Sequence, residues 1–172
     1  MTADLVSKIR DIPDFPKPGI QFKDITTLLK DGPSFKAAID GLLTQIGDRK
    51  VDAVVGMESR GFIFAAPIAY NLGVGFAPVR KLGKLPSETI SAEYALEYGS
   101  NTLELHVDGV RSGQKVLVVD DLLATGGTVE ACCKLLEKAG AEIVGCAFLI
   151  ALDALKGAQR VAPHQSYCLL HY

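Results

Sequence analysis

The stretch VLVVDDLLATGGT, residues 116–128, restricts what this chain can fold into more than any other. Val116–Val119 is short, apolar and β-branched throughout, the pattern of a strand buried on both faces. Asp120 and Asp121 follow at its C-terminal end. Ala124-Thr125-Gly126-Gly127-Thr128, small and rich in backbone donors, then runs into a helix pattern from Val129 to Lys138. A loop of small residues opening a helix is an anion cradle, because N–H groups converge there and the helix dipole favours negative charge. Carboxylates beside such a cradle suit ribose hydroxyls or a divalent cation, not the phosphate itself. Taken singly, Thr125 reads as a helix cap and the Asp pair as a solvated strand end. Together they lie at the carboxyl end of a buried parallel strand, where open α/β sheets bind ligands. The stretch asks for a phosphorylated sugar, with Mg²⁺.

Two other phosphate-binding schemes are excluded. No GK[ST] follows the glycines, so this is not a Walker A loop. Gly73-Val74-Gly75 begins a dinucleotide fingerprint, but Pro78 stands where the third glycine belongs and no helix pattern follows. Composition narrows the rest. A chain of 172 residues forms one domain, 1–172, with room for a real core. A net charge of −2 provides no basic face for nucleic acid. No apolar run reaches spanning length, and MTADLVSKIRDIPDF lacks the basic-then-apolar order of a signal peptide, so no membrane is expected and the location reads as cytoplasmic. The four cysteines include an adjacent pair, Cys132 and Cys133, and fit reduced core thiols. His106, His164 and His171 share no ligand spacing, which argues against a structural metal.

Along the chain, Leu5, Ile9 and Ile12 predict a short amphipathic helix over Ala3–Ile12, and Pro13, Pro16 and Pro18 then break an irregular arm that carries Phe15 and Phe22. Gly32-Pro33 opens a helix whose buried stripe is Phe35, Ala38, Ile39, Leu42, Leu43 and Ile46. Val51–Gly56 reads as the first clear strand, and Glu58-Ser59-Arg60-Gly61 turns from it into a second helix. Arg60 is unfavourable at a helix start unless an anion binds there. Val74–Val79 is the next strand. It leads into Arg80–Gly99, a connection long enough to be a lid or a hairpin and carrying the cations Arg80, Lys81 and Lys84. Thr102–Val107 alternates as a half-exposed strand with Leu103, Leu105 and Val107 on one face. Gly140 stops the central helix, Glu142–Leu152 is an interior strand, and Tyr167–Leu170 an edge strand. The alternation of strands and helices predicts a doubly wound, mainly parallel α/β sheet, with an N-terminal hood over about residues 1–30 and a lid over about 80–99.

Four blocks, FPKPGIQFKDIT, GMESRGFIFAAPIA, RKLGKLPSETISAEYALEYG and VVDDLLATGGT, in this order, resemble the adenine phosphoribosyltransferases, a branch of the type I phosphoribosyltransferases, over nearly the whole chain. The resemblance implies the type I phosphoribosyltransferase fold and transfer of a 5-phosphoribosyl group from phosphoribosyl pyrophosphate (PRPP) to N9 of adenine, giving AMP and pyrophosphate in purine salvage. It implies that Ala124, Thr125, Gly126, Gly127 and Thr128 hold the 5′-phosphate and that Asp120 and Asp121 hold the ribose hydroxyls. Ser59, Arg60, Arg80, Lys81 and Lys84 then bind pyrophosphate and Mg²⁺, some of them across a homodimer boundary, with the metal carried mainly by PRPP and near Asp120 and Asp121. Phe22 stacks on the purine, backbone groups of Gln21 and Lys23 read its edge, and Leu152 packs opposite. Glu97 and Tyr98 sit on the lid near N7, with Glu97, Arg60 and the Asp pair as the catalytic set. A transferase for hypoxanthine, guanine or xanthine stays open as an alternative, as does a regulatory module that binds PRPP or nucleotide on the same fold.

Overall fold

The constraint set by the VLVV run is met by layering. The computed structural model describes residues 2–95 and 100–172. Its central sheet has seven strands in the order β5-β6-β4-β3-β7-β8-β9, and a separate two-stranded sheet pairs β1 (Arg10–Ile12) with β2 (Phe22–Asp24). β3 (Ala53–Met57), β4 (Gly75–Lys81), β7 (Lys115–Leu123), β8 (Glu142–Ala151) and β9 (Ser166–His171) are parallel to one another. β5 (Thr89–Ala95) and β6 (Ser100–His106) form an antiparallel extension on β4. The fold is therefore α/β with a mainly parallel sheet.

Alternate residues of the inner strands bury opposite faces, as the pleat dictates. Val54, Leu117, Val119, Ala147 and Leu149 pack under α3 (Gly32–Ile46) and α4 (Gly61–Leu72). Val55, Val116, Val118, Cys146 and Phe148 pack under α5 (Gly127–Lys138). Asp31 caps α3, accepting from Ser34 N at 3.1 Å, and the expected stripe of that helix is the buried one. No helix among the described residues is long and apolar enough to cross a membrane.

The N-terminal segment is more ordered than its prolines suggest. The helix α1 is only Thr2–Val6, and Ile12 belongs to β1 rather than to the predicted helix. The β1–β2 pairing captures it. Asp24 accepts Thr26 N at 2.9 Å and Arg10 Nε at 3.0 Å, which together hold its pKa down at about 2. A four-residue helix, α2 (Thr26–Leu29), then buries Leu28 in the core. The long connection after β4 contains β5 of the antiparallel hairpin, and residues 96–99 lie outside the described part. Beyond β8, the turn expected at Leu155-Lys156-Gly157 begins as a 3₁₀ turn (Asp153–Leu155) and leads into a short helix, α6 (Gly157–Val161), whose few residues carry no apolar period in the sequence.

Two features place the site. The helix after β3 crosses one face towards β4 and the helix after β7 crosses the other towards β8, so strand order reverses between β3 and β7. The last pair between these strands is Gly56↔Val119, whereas β7 stays paired with β8 as far as Leu123↔Ala151. β7 therefore outruns β3, and the Asp pair lies on the overrun inside the strand rather than after it.

The energetic core of the layer beneath α5 is Phe148, which is fully buried. Phe148→Ala is expected to cost about 3–5 kcal/mol through lost transfer energy and a residual cavity. Urea denaturation monitored by circular dichroism measures it; a loss below about 1 kcal/mol would contradict this packing.

Candidate active site

Gly61 allows α4 to begin against the overrun of β7. A Cβ there would stand 2.8 Å from both Asp120 Oδ1 and Val119 O, so only glycine admits the approach. The turn that delivers α4, with a cis Glu58–Ser59 peptide, holds Ser59 exposed and Arg60 half-buried. Neither α4 nor α5 has a side-chain cap. Two helix starts with uncapped N–H groups thus stand at the carboxyl ends of the adjoining strands β3 and β7, which favours an anionic ligand.

Between them lies the Asp pair. Asp121 is buried, and Arg60 Nε lies 2.9 Å from its Oδ2. The N–H is not aligned on that oxygen, which is buried without a hydrogen-bond partner among the described residues. A buried acceptor without a donor is where a sugar hydroxyl fits. Asp120 Oδ1 accepts Asp121 N at 2.9 Å. Burial and then the charge of Asp121 push the Asp120 carboxyl well up; burial also raises Asp121, against the opposing pull of Arg60. Arg60 further places its guanidinium 5.3 Å from the centre of the Phe22 ring, and Phe15 meets that ring edge-on at 5.1 Å. One chain of contacts therefore joins Phe22, Arg60, Asp121 and Asp120.

The cationic stretch joins the same cluster through a residue that sequence reading passes over as part of a polar turn. Glu58 Oε2 accepts both Arg80 Nε and Lys81 N at 3.1 Å, and Arg80 Nη1 donates to Lys84 O at 3.0 Å. Burial pushes Glu58 up, but the Arg80 guanidinium and the Lys81 N–H outweigh it and hold the carboxyl below its ordinary value. The side chains of Lys81 and Lys84 are exposed and make no ion pair among the described residues.

The Ala124–Thr128 loop sits as expected between β7 and α5, with Thr125 exposed and Gly126 and Gly127 buried. What encloses it was not legible in the sequence. Gly126 has φ +81°, and a Cβ on it would meet Gly157 O at 2.7 Å; a Cβ on Gly157 would meet Ala124 O at 2.3 Å. Arg160 of α6 lies over Gly127 and pairs with Glu130 of α5 at 2.6 Å. Leu152 is half-buried and lines a small cleft with Leu123, Lys156 and Gly157. Gln21 is exposed. The Lys23 side chain is committed elsewhere, 2.6 Å from Asp11 Oδ1 and 3.7 Å above the Tyr172 ring. Glu97 and Tyr98 lie outside the described residues.

A sheet that reverses order beside an Asp pair and an uncapped glycine loop defines a protein of the nucleotide and sugar-phosphate binding class. The phosphoribosyl transferase domain family matches residues 26–169. An adenine phosphoribosyltransferase of Roseiflexus sp. (strain RS-1) is 56% identical over the full length of both chains, and that of Desulfitobacterium hafniense (strain Y51) is 53% identical over 98% of each. The crystal structure of adenine phosphoribosyltransferase from Thermoanaerobacter pseudethanolicus superposes with a TM-score of 0.98 at 49% identity over all of both chains. That of Saccharomyces cerevisiae, complexed with adenine and an imino-altritol bisphosphate, gives 0.93 at 38% identity over 98% of each. The chain belongs to the phosphoribosyltransferase family, in its adenine phosphoribosyltransferase branch.

Asp120→Asn tests the pair directly. A folded-state pKa raised above the unfolded one means that the contribution of Asp120 to stability is fully present below the unfolded pKa and is lost as pH rises towards the folded one. The variant lacks this loss, so its melting temperature should equal or exceed wild type, by a margin that grows with pH. Turnover should fall at least tenfold, about 1.4 kcal/mol. Normal turnover, or a margin that shrinks with rising pH, would contradict the electrostatics.

Proposed function

We propose that this chain transfers the 5-phosphoribosyl group of PRPP to N9 of adenine, releasing AMP and pyrophosphate in purine salvage. The observation that carries the site reading is the buried Asp121 Oδ2 on the β7 overrun, paired in charge with Arg60 but without an aligned hydrogen-bond donor among the described residues, between two uncapped helix starts. Full-length identity to adenine phosphoribosyltransferases carries the reaction.

In this reading the N–H groups of Gly126, Gly127 and Thr128 and the hydroxyls of Thr125 and Thr128 hold the 5′-phosphate. Asp120 and Asp121 accept from the ribose hydroxyls. Breaking the C1–O bond ahead of attack builds positive charge on the ribose and negative charge on the departing pyrophosphate. The Asp pair favours the first, and Ser59, Arg60, Arg80, Lys81 and Lys84 stabilise the second. Two adjacent carboxylates match what Mg²⁺ takes from a protein beside a diphosphate. Asp120 and Asp121 would hold the metal with PRPP oxygens, and when bound it supplies neutralisation of the diphosphate charge. Phe22 stacks on the purine with Leu152 opposite. Roles for Glu97 and Tyr98 near N7, and for the stretch 80–99 as a lid that excludes water, rest on the family resemblance alone, since residues 96–99 lie outside the described part. The cysteines are free, in keeping with a reducing, cytoplasmic setting.

Base selection follows from hydrogen-bond polarity. A 6-oxopurine needs a donor at O6, and adenine needs an acceptor at N6. β8 carries no cation, and the side chain of Lys23, next to Phe22 in the arm, is tied to Asp11 and Tyr172 and so is not offered to O6. The decisive experiment measures initial rates with PRPP, Mg²⁺ and equal concentrations of adenine, hypoxanthine, guanine and xanthine. Adenine is expected to win by about 10⁴. Comparable rates with hypoxanthine or guanine would overturn the base assignment, and no PRPP-dependent product with any base would overturn the enzyme.

We also propose a homodimer closed through α4. This helix is apolar almost all round, and Ile63 and Tyr70, seven residues apart, leave an exposed stripe on it, Tyr70 being 86% exposed. Leu82, 63% exposed, stands among the cations of the neighbouring stretch. A second copy covering this face places Arg80–Lys84 at the boundary. Sedimentation should show a dimer that Ile63→Glu with Tyr70→Glu dissociates; a fully active wild-type monomer would refute it.

A further inference from the structure

The alternation of β6 leads one to expect Leu103 and Leu105 inside and the residue between them in water. The two leucines are buried, but so is Glu104, at 7% exposure. Its surroundings explain why. Glu104 Oε2 accepts Gly83 N at 2.8 Å and Oε1 accepts the Thr89 hydroxyl at 3.0 Å. One carboxylate thereby ties together both ends of the exposed turn that runs from β4 to β5. In the sheet it is the register partner of Arg80 on one side and of Ser91 on the other.

We infer that Glu104 is a positioning residue for the pyrophosphate cations, an inference that rests on the reading of Arg80, Lys81 and Lys84 as pyrophosphate ligands. Without a ligand, three cations within five residues repel one another, and a turn of exposed residues has little packing to resist that repulsion. A buried negative charge behind the turn offsets the repulsion. Its bond to Gly83 fixes the backbone between Lys81 and Lys84. Glu58 acts at the other end of the stretch by holding Arg80 and Lys81 N. The two acids together set the cations in place before PRPP arrives, which is where preorganised charge lowers a barrier most. Glu104 lies behind the turn and takes no part in the bond-making itself.

Two substitutions separate tether from charge. Glu104→Leu removes both hydrogen bonds. Glu104→Gln keeps them, because its carbonyl accepts Gly83 N while the Thr89 hydroxyl turns to accept from the amide, so it removes the charge alone. The measurements are KM for PRPP, KM for adenine, kcat and the inhibition constant of pyrophosphate, with Lys84→Ala as the reference variant. Glu104→Leu is expected to raise KM for PRPP and the pyrophosphate inhibition constant together by roughly tenfold, leaving KM for adenine within about twofold. Glu104→Gln should move the same two constants by a smaller factor. A merely structural acid would lower the melting temperature without this split between the two substrates. If Lys84→Ala weakens PRPP and pyrophosphate but neither Glu104 variant does, the positioning role is wrong and the cation reading stands. If Lys84→Ala changes neither constant, the cation reading fails and this inference falls with it. Should Glu104→Leu not fold, Glu104→Gln, which removes the charge, and Thr89→Val, which removes one of the two hydrogen bonds, decide together: unchanged constants in both overturn the role.

Discussion

The overrun of β7 beyond β3 is the constraint on which the rest of the structure depends. Past Gly56↔Val119 one side of β7 has no strand neighbour, and two carboxylates occupy the opening. Burying two adjacent carboxylates is unfavourable in the absence of a ligand, and it pushes the pKa of both upward. The protein tolerates this because a well-packed sheet surrounds the strand below and Arg60 stands against Asp121. The strain on the pair is relieved by whatever brings donors or positive charge to it.

The elements around this opening serve it in a consistent way. Helix starts are left uncapped where an anion is wanted, whereas α3, which has no such duty, is capped by Asp31. Acids recur one layer behind the cations: Glu58 behind Arg80, Glu104 behind Gly83, Glu130 behind Arg160. Each holds a positive or donor group in position while the face towards solvent stays free for ligand. Backbone proximity does similar work at Gly61 and Gly157, where a methyl group would push α4 off β7 or α6 off the glycine loop.

Much of this was legible in the linear chain because it depends on local pattern. The VLVV run, the Asp pair and the small-residue loop announce a strand, a ligand end and an anion cradle within a few residues, and helix periodicity marked α3, α4 and α5 closely. The arm was read less well: its prolines suggested irregularity, and the β1–β2 pairing that orders it joins residues fourteen apart, as in Arg10↔Asp24.

By itself, then, the sequence determined the layered α/β class, the identity of the phosphate loop and the chemical family, since each is written in contiguous residues or in blocks that occur together. Only the tertiary structure decided how the partners meet. That Arg60 lies between Asp121 and Phe22, that Glu58 and Glu104 sit behind the cations, that Lys23 is held by Asp11 and Tyr172, and that α6 closes on Gly126 are contacts across strands and across most of the chain length. A carboxylate on an alternating strand looks the same in sequence whether it faces water or lies under a turn. The difference is made by which segment folds over it, and that is settled by packing rather than by neighbours in the chain.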